Sequence, residues 1–192
     1  MTASPLILAS ASPRRRDLLA VAGYQFTAIA PDVEEVAPDY LTPAEITLAN
    51  ARRKALAIAA LHPGALVIGA DTEVAFEGEI FGKPRDMKHA VEMLTRLNGR
   101  VHEVWSGVWL ADGATCRQTG FNEVTRVRFR RLTAAQIRAY LERIGPLDKA
   151  GAYAAQDDRG ELIECVEGCF DNVIGLPMKS LAWALKKLGG EK

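Results

Sequence analysis

Apolar positions along this chain alternate between short unbroken runs and longer stretches with helical spacing. Residues 6–9, 66–70, 101–110 and 123–129 form strand-like runs, whereas 14–22, 43–61, 86–97, 133–143 and 177–188 repeat their apolar residues at helical intervals. Strands and helices taken in turn predict an α/β layered domain. The helix starts are marked locally. Thr42-Pro43-Ala44-Glu45 and Thr133-Ala134-Ala135-Gln136 have the capping-box form, Asp86 caps a helix that ends near Asn98-Gly99, and Ser12 with Pro13 opens a helix that Gly23 can stop. Residues 73–81, centred on Glu77-Gly78, predict a hairpin returning to Gly82-Lys83-Pro84. Asn172-Val173-Ile174-Gly175-Leu176-Pro177 reads as strand, tight turn and helix start. No linker, repeat or low-complexity tract interrupts the pattern, so residues 1–192 are expected to form a single domain.

Composition narrows the function classes. Hydrophobic residues make up 48% of the chain and charged residues 25%, a balance that supports a substantial core and excludes disorder. Lys plus Arg and Asp plus Glu each number 24, so no global basic excess draws the chain to nucleic acid or to an anionic membrane. Any phosphate chemistry must then be local. Cys116, Cys165 and Cys169 are odd in number and lack zinc-type spacing with histidines, which predicts reduced thiols and a cytoplasmic setting. Pro5 and Arg14-Arg15-Arg16 interrupt the start of the chain, which excludes a secretory signal, and no apolar run reaches membrane-spanning length.

The most informative segment is Leu6-Ile7-Leu8-Ala9-Ser10-Ala11-Ser12-Pro13-Arg14-Arg15-Arg16, which reads as strand, polar turn and helix. Cations in a first helical turn oppose the macrodipole by roughly 0.3–1 kcal/mol each when exposed. Free N–H groups and guanidinium groups together instead make a receptor for phosphate. In Val67-Ile68-Gly69-Ala70-Asp71-Thr72 an apolar strand runs into a carboxylate and a hydroxyl, and strand C-termini are where α/β folds build their sites. Asp71 is a base or metal ligand on one reading and a plain strand-ending turn residue on the other; spacing does not choose. Asp32-Val33-Glu34-Glu35 could supply a hard oxygen ligand, although alone it reads as a solvated loop. Lys54 lies among Ala51, Arg52, Arg53 and Ala55, where spacing alone favours a solvated polar face. Lys83 sits in a rigid Gly-Lys-Pro turn. No Walker loop or dinucleotide fingerprint is present, and His62, His89 and His102 are scattered, as structural histidines are. In Asp148-Lys149-Ala150-Gly151-Ala152-Tyr153-Ala154-Ala155-Gln156, small residues around Tyr153 and Gln156 permit close approach of a flat ligand, whose edge the Gln amide could read.

Taken in order, Ser10-x-Ser12-Pro13-Arg14-Arg15, Glu35, Lys54, Gly69-Ala70-Asp71-Thr72, Lys83-Pro84-x-Asp86, Asp148-Lys149-Ala150-Gly151-Ala152-Tyr153-x-x-Gln156 and Gly175-Leu176-Pro177 resemble the Maf family of nucleoside triphosphate pyrophosphatases over nearly the whole chain. The resemblance implies a mixed, elongated β-sheet flanked by helices with a central cleft, akin to the inosine triphosphate pyrophosphatases, in a homodimer dependent on Mg²⁺ or else Mn²⁺ or Co²⁺. It implies cleavage of a nucleoside triphosphate between the α and β phosphates. The catalytic set would be Asp71, as proton acceptor, with Lys54 and Lys83. Ser10, Ser12, Arg14, Arg15, Thr72 and Gln156 would bind substrate, and Glu35 and Asp71 would hold the metal. Arg14, Thr72 and Gln156 resemble the branch acting on dTTP and UTP, while Ala155 and Asp157 depart from the family pattern and leave a 7-methyl-GTP-type substrate as the alternative. A non-catalytic nucleotide-binding regulator of division is the rival from another class. All of these readings require the cationic side chains to converge on one polyphosphate.

Overall fold

The computed structural model describes residues 4–189. Its strands are β1 (Leu6–Ala9), β2 (Thr27–Ile29), β3 (Leu66–Phe76), β4 (Glu79–Phe81), β5 (Val101–Asp112), β6 (Gln118–Phe129) and β7 (Ile163–Glu167). Its helices are α1 (Pro13–Val21), α2 (Pro43–Leu61), α3 (Met87–Leu97), α4 (Ala134–Ile144), α5 (Phe170–Ile174) and α6 (Met178–Gly189). The seven strands form one sheet in the order β2-β1-β3-β5-β6-β7, with β4 paired to β3. It is mixed, because β1 runs parallel to β2 and β3 while β4 and β7 run antiparallel to their neighbours. The α/β expectation therefore holds.

The described residues divide into two compact units that alternate in sequence: those up to Asp71, Ser106–Glu123 and those from Gly175 onward in the first, Thr72–Trp105 and Val124–Ile174 in the second. In the first unit, alternate residues of β1 and β3 point to opposite faces and bury both. Leu8, Ile68 and Ala70 pack with Leu19 of α1 and Leu181, Ala184 and Leu188 of α6. Ile7, Ala9 and Val67 pack with Ala55 and Ile58 of α2. Burial on both sides is why these strands read as unbroken apolar runs. Helix α2 lies unusually close to the sheet, since a Cβ added at Gly69 would meet the Ala51 carbonyl oxygen at 2.1 Å and one at Gly107 would meet the Thr47 carbonyl carbon at 2.3 Å. In the second unit, Val74, Phe76, Phe81, Met93, Leu97, Phe129, Tyr140 and Tyr153 belong to one core.

Several boundaries differ from expectation for identifiable reasons. The run at 66–70 and the first arm of the hairpin are one strand, β3, turned at Glu77 and Gly78, whose φ values of 52° and 83° suit a tight hairpin. Strand β7 escaped the sequence reading because its five residues, Ile-Glu-Cys-Val-Glu, are mostly exposed and too short to show a period. The strand expected at Asn172 is instead the short helix α5; the buried Asn172 amide donates to the Val104 carbonyl at 3.0 Å and to Thr125 Oγ1 at 3.1 Å, anchoring that turn. No helix among the described residues is long and apolar enough to cross a membrane.

Candidate active site

Asp71 stands where β3 leaves the first unit, and α2 supplies its partners. Lys54 Nζ donates to Asp71 Oδ1 at 2.7 Å and pairs with Glu35 Oε1 at 2.5 Å. One turn earlier on the same helix, Asn50 Nδ2 donates to Asp71 Oδ2 at 3.1 Å. Positions four apart share a helix face, and the alanines and glycines between α2 and β3 bring that face within reach of a short amide. Lys54 is 6% exposed, whereas Arg52 and Arg53 face solvent. The polar-face reading is thus correct for the two arginines and wrong for Lys54, whose ammonium is drawn inward by two carboxylates. Glu35 belongs to a stretch without helix or strand, and its side chain stays 43% exposed against 6% for that of Asp71.

The β1–α1 turn forms a second group in the same unit. Ser12 caps α1 by accepting from the Arg15 backbone N–H at 3.4 Å, and its own N–H donates to Ser10 Oγ at 3.1 Å. Arg15 turns to the protein itself, donating from Nε to the Gly175 carbonyl at 2.8 Å and from Nη1 to the Ala70 carbonyl at 3.0 Å and Ser10 Oγ at 3.4 Å. Lys54 Nζ reaches the same Ala70 carbonyl at 3.4 Å. The serine-arginine turn is therefore tied to the residue preceding Asp71. Arg14 is half-buried on the first turn of α1.

Thr72, Lys83 and Gln156 belong to the second unit. Thr72 is half-buried and follows Asp71 in the chain, while Lys83 and Gln156 are exposed. The Gly82 carbonyl accepts from the Gly151 N–H at 3.1 Å, so the Gly-Lys-Pro turn is fastened to the segment leading to Gln156. Lys149 braces that segment from inside through the Gly145 carbonyl at 2.7 Å and Asp148 Oδ1 at 2.5 Å. Tyr153 does not face a ligand: it is 6% exposed, with its ring edge-on to Phe129 and its hydroxyl 3.0 Å from His102 Nε2. Burial pushes the Tyr153 phenol up and holds the His102 imidazole down to about 3. Ala155 is likewise a core residue of this unit, so its size answers to packing.

Sequence reasoning missed Asn50. The signal was present: Thr47, Asn50 and Lys54 follow helical spacing along the face that buries Ala51, Ala55 and Ile58, and a polar stripe inside an apolar face must find partners. Among the described residues no group of three or more His, Cys, Asp or Glu side chains gathers as a metal centre. Glu35 and Asp71 nevertheless aim oxygen donors at one shared cation, the Lys54 ammonium. Two hard carboxylates fit Mg²⁺, which usually completes its shell with water and substrate phosphate.

Asp71 does not end its strand, as the sequence suggested, but lies inside β3 two residues past its parallel pairing with β1. The carboxylate–ammonium cluster it forms there, tied to a serine-arginine helix start, defines an α/β protein equipped for phosphoanhydride chemistry. The chain belongs to the Maf family: the family profile described as Maf-like protein matches residues 5–188. A protein of Pelotomaculum thermopropionicum named dTTP/UTP pyrophosphatase is 46% identical over 184 residues, 96% of each chain. Proteins of the same name from Myxococcus xanthus and Desulforamulus reducens are 46% identical (96% of this chain, 92% of the other) and 41% identical (97% and 98%). Among solved structures, the Staphylococcus aureus Ham1 protein is similar with a TM-score of 0.47 and 16% identity, over 65% of this chain and 71% of that one.

Proposed function

We propose that this chain hydrolyses dTTP and UTP between the α and β phosphates, releasing the monophosphate and pyrophosphate. The observation that carries the reading is the buried Lys54 ammonium held between Asp71 and Glu35 beside the serine-arginine turn. The full-length relatives named dTTP/UTP pyrophosphatase support the substrate.

In this reading Asp71, held by Lys54 and Asn50, accepts the proton of the water that attacks the α-phosphorus. A free carboxylate, with a pKa of about 3.9, is a weak base for water. Glu35 and Asp71 would hold Mg²⁺, or Mn²⁺ or Co²⁺, which supplies charge neutralisation on phosphate oxygens and acidifies water when bound. Arg14 and Lys83 stabilise the charge that builds on the leaving pyrophosphate, each worth a factor on the order of 10²–10³ if it acts as an oxyanion donor. Arg15 contributes through the backbone it fastens. Thr72 and Gln156 read the pyrimidine, and Gln156 is exposed where its amide can both donate and accept. Because Ala155 is committed to the core, it lends no support to a widened pocket for 7-methyl-GTP. A homodimer in the cytoplasm acting on free nucleotides completes the proposal.

A panel of nucleoside triphosphates incubated with pure protein and Mg²⁺ tests it. Pyrophosphate should appear first, fastest from dTTP and UTP. Orthophosphate as first product, or turnover of 7-methyl-GTP above both pyrimidines, overturns it.

A further inference from the structure

Asn50 is 2% exposed and makes three hydrogen bonds with unrelated parts of the first unit. Its Oδ1 accepts from the Val36 backbone N–H at 2.9 Å, and its Nδ2 donates to the Val36 carbonyl at 3.0 Å and to Asp71 Oδ2 at 3.1 Å. The Val36 N–H can only donate, so it fixes which end of the amide is oxygen and points the remaining amide hydrogen at Asp71. Val36 follows Glu35 in a stretch with no helix or strand of its own. One side chain therefore clamps the backbone beside Glu35 and sets the plane of the Asp71 carboxylate, whose other oxygen is held by Lys54.

We propose that Asn50 is a positioning residue that holds Glu35 and Asp71 in a fixed mutual arrangement across Lys54. Each carboxylate is then presented in one orientation, so the substrate need not select it from several rotamers. Misplacement of a reacting group by about 1 Å lowers turnover on the order of 10²-fold, while groups that only bind the nucleotide are untouched. Loss of Asn50 is thus felt in kcat rather than in KM.

The inference rests on the pyrophosphatase reading, and two variants with two readouts keep the two separable. Asn50→Leu fills the same buried space and removes all three hydrogen bonds. Asn50→Asp keeps an acceptor for the Val36 N–H but offers no donor to the Val36 carbonyl or to Asp71. Hydrogen exchange read by mass spectrometry on peptides spanning residues 31–39 should speed up at least tenfold in Asn50→Leu and by less in Asn50→Asp, which keeps the bond from the Val36 N–H. With dTTP, both variants should lose at least tenfold in kcat with KM within threefold of wild type. Unchanged exchange in a folded Asn50→Leu protein, kcat within twofold of wild type in either variant, or a loss confined to KM overturns the proposal. If the wild-type protein itself releases no pyrophosphate, the pyrophosphatase reading fails and the exchange experiment still decides the tether.

Discussion

Arg14 and Arg15 are neighbours on one helical turn with different duties. Arg15 spends Nε and Nη1 on the Gly175 and Ala70 carbonyls and on Ser10 Oγ. A charged donor bonded to neutral acceptors stabilises a fold by about 1.5–3 kcal/mol per bond, so Arg15→Ala should lower the melting temperature as well as activity. In the proposed reading Arg14, half-buried at the start of α1, binds substrate. Arg14→Ala should lower the melting temperature less than Arg15→Ala does while lowering kcat/KM on the order of 10²-fold. Melting curves and initial rates on the two variants check the division, and equal thermal losses would refute it. The residue-level pattern also shows what sequence can disclose. The capped turn at Ser10 and Ser12 was legible because its chemistry is local, whereas the bonds of Arg15 to the Gly175 and Ala70 carbonyls were not. The burial of Lys54 was not, since its partners Glu35 and Asp71 come from distant segments that only the folded chain brings to it.

At the scale of elements, the site depends on how closely α2 approaches β3. Ala51 and Ala55 face Gly69, and the geometry leaves no room there for a methyl group: an added Cβ would fall 2.1 Å from the Ala51 carbonyl oxygen and 2.8 Å from the Ala55 nitrogen. Both obstacles are backbone, so the helix must move as a body. Overpacking of this kind costs typically about 1–3 kcal/mol, and here it also displaces Asn50 and Lys54 from Asp71. Gly69→Ala should therefore lower the urea midpoint and reduce kcat more than the stability loss explains, measured on protein shown to be folded by circular dichroism. Wild-type kcat in the folded variant would mean that the α2–β3 spacing does not set the site. Helices and central strands were legible from sequence because capping boxes at Thr42 and Thr133 and double-sided burial of β1 leave strong local marks. Strand β7 and helix α5 were not, because each is five residues long and owes its conformation to partners elsewhere, Asn172 to Val104 and Thr125 among them.

For the molecule as a whole, balanced charge directs attention to individual buried groups when pH changes. With 24 basic and 24 acidic residues, self-repulsion does not build up near neutrality. His62 and His89 are half-buried, but His102 is 2% exposed inside the aromatic core of the second unit, against Phe129 and Tyr153. Its Nε2 meets the Tyr153 hydroxyl, and its buried Nδ1 has no hydrogen-bond partner, so a proton added there would leave a charged N–H unsatisfied. Burial accordingly lowers the His102 pKa from 6.5 to about 3. A folded pKa below the unfolded one means that the unfolded chain takes up the proton first. Stability from this group is then complete above about pH 6.5 and is lost as pH falls toward 3, at up to about 1.4 kcal/mol per pH unit. Most carboxylates have unperturbed pKa values near 4, so between pH 6.5 and 5 His102 should set the slope, removing on the order of 2 kcal/mol from the unfolding free energy. Urea titrations at several pH values should show this decline, and His102→Gln, which can still bond the Tyr153 hydroxyl, should flatten it. In wild-type protein the His102 ring resonances should show no titration between pH 7 and 5. A midpoint near 6.5 in the folded state would show that the imidazole is charged in place, and the aromatic core of the second unit would then have to accommodate an ion.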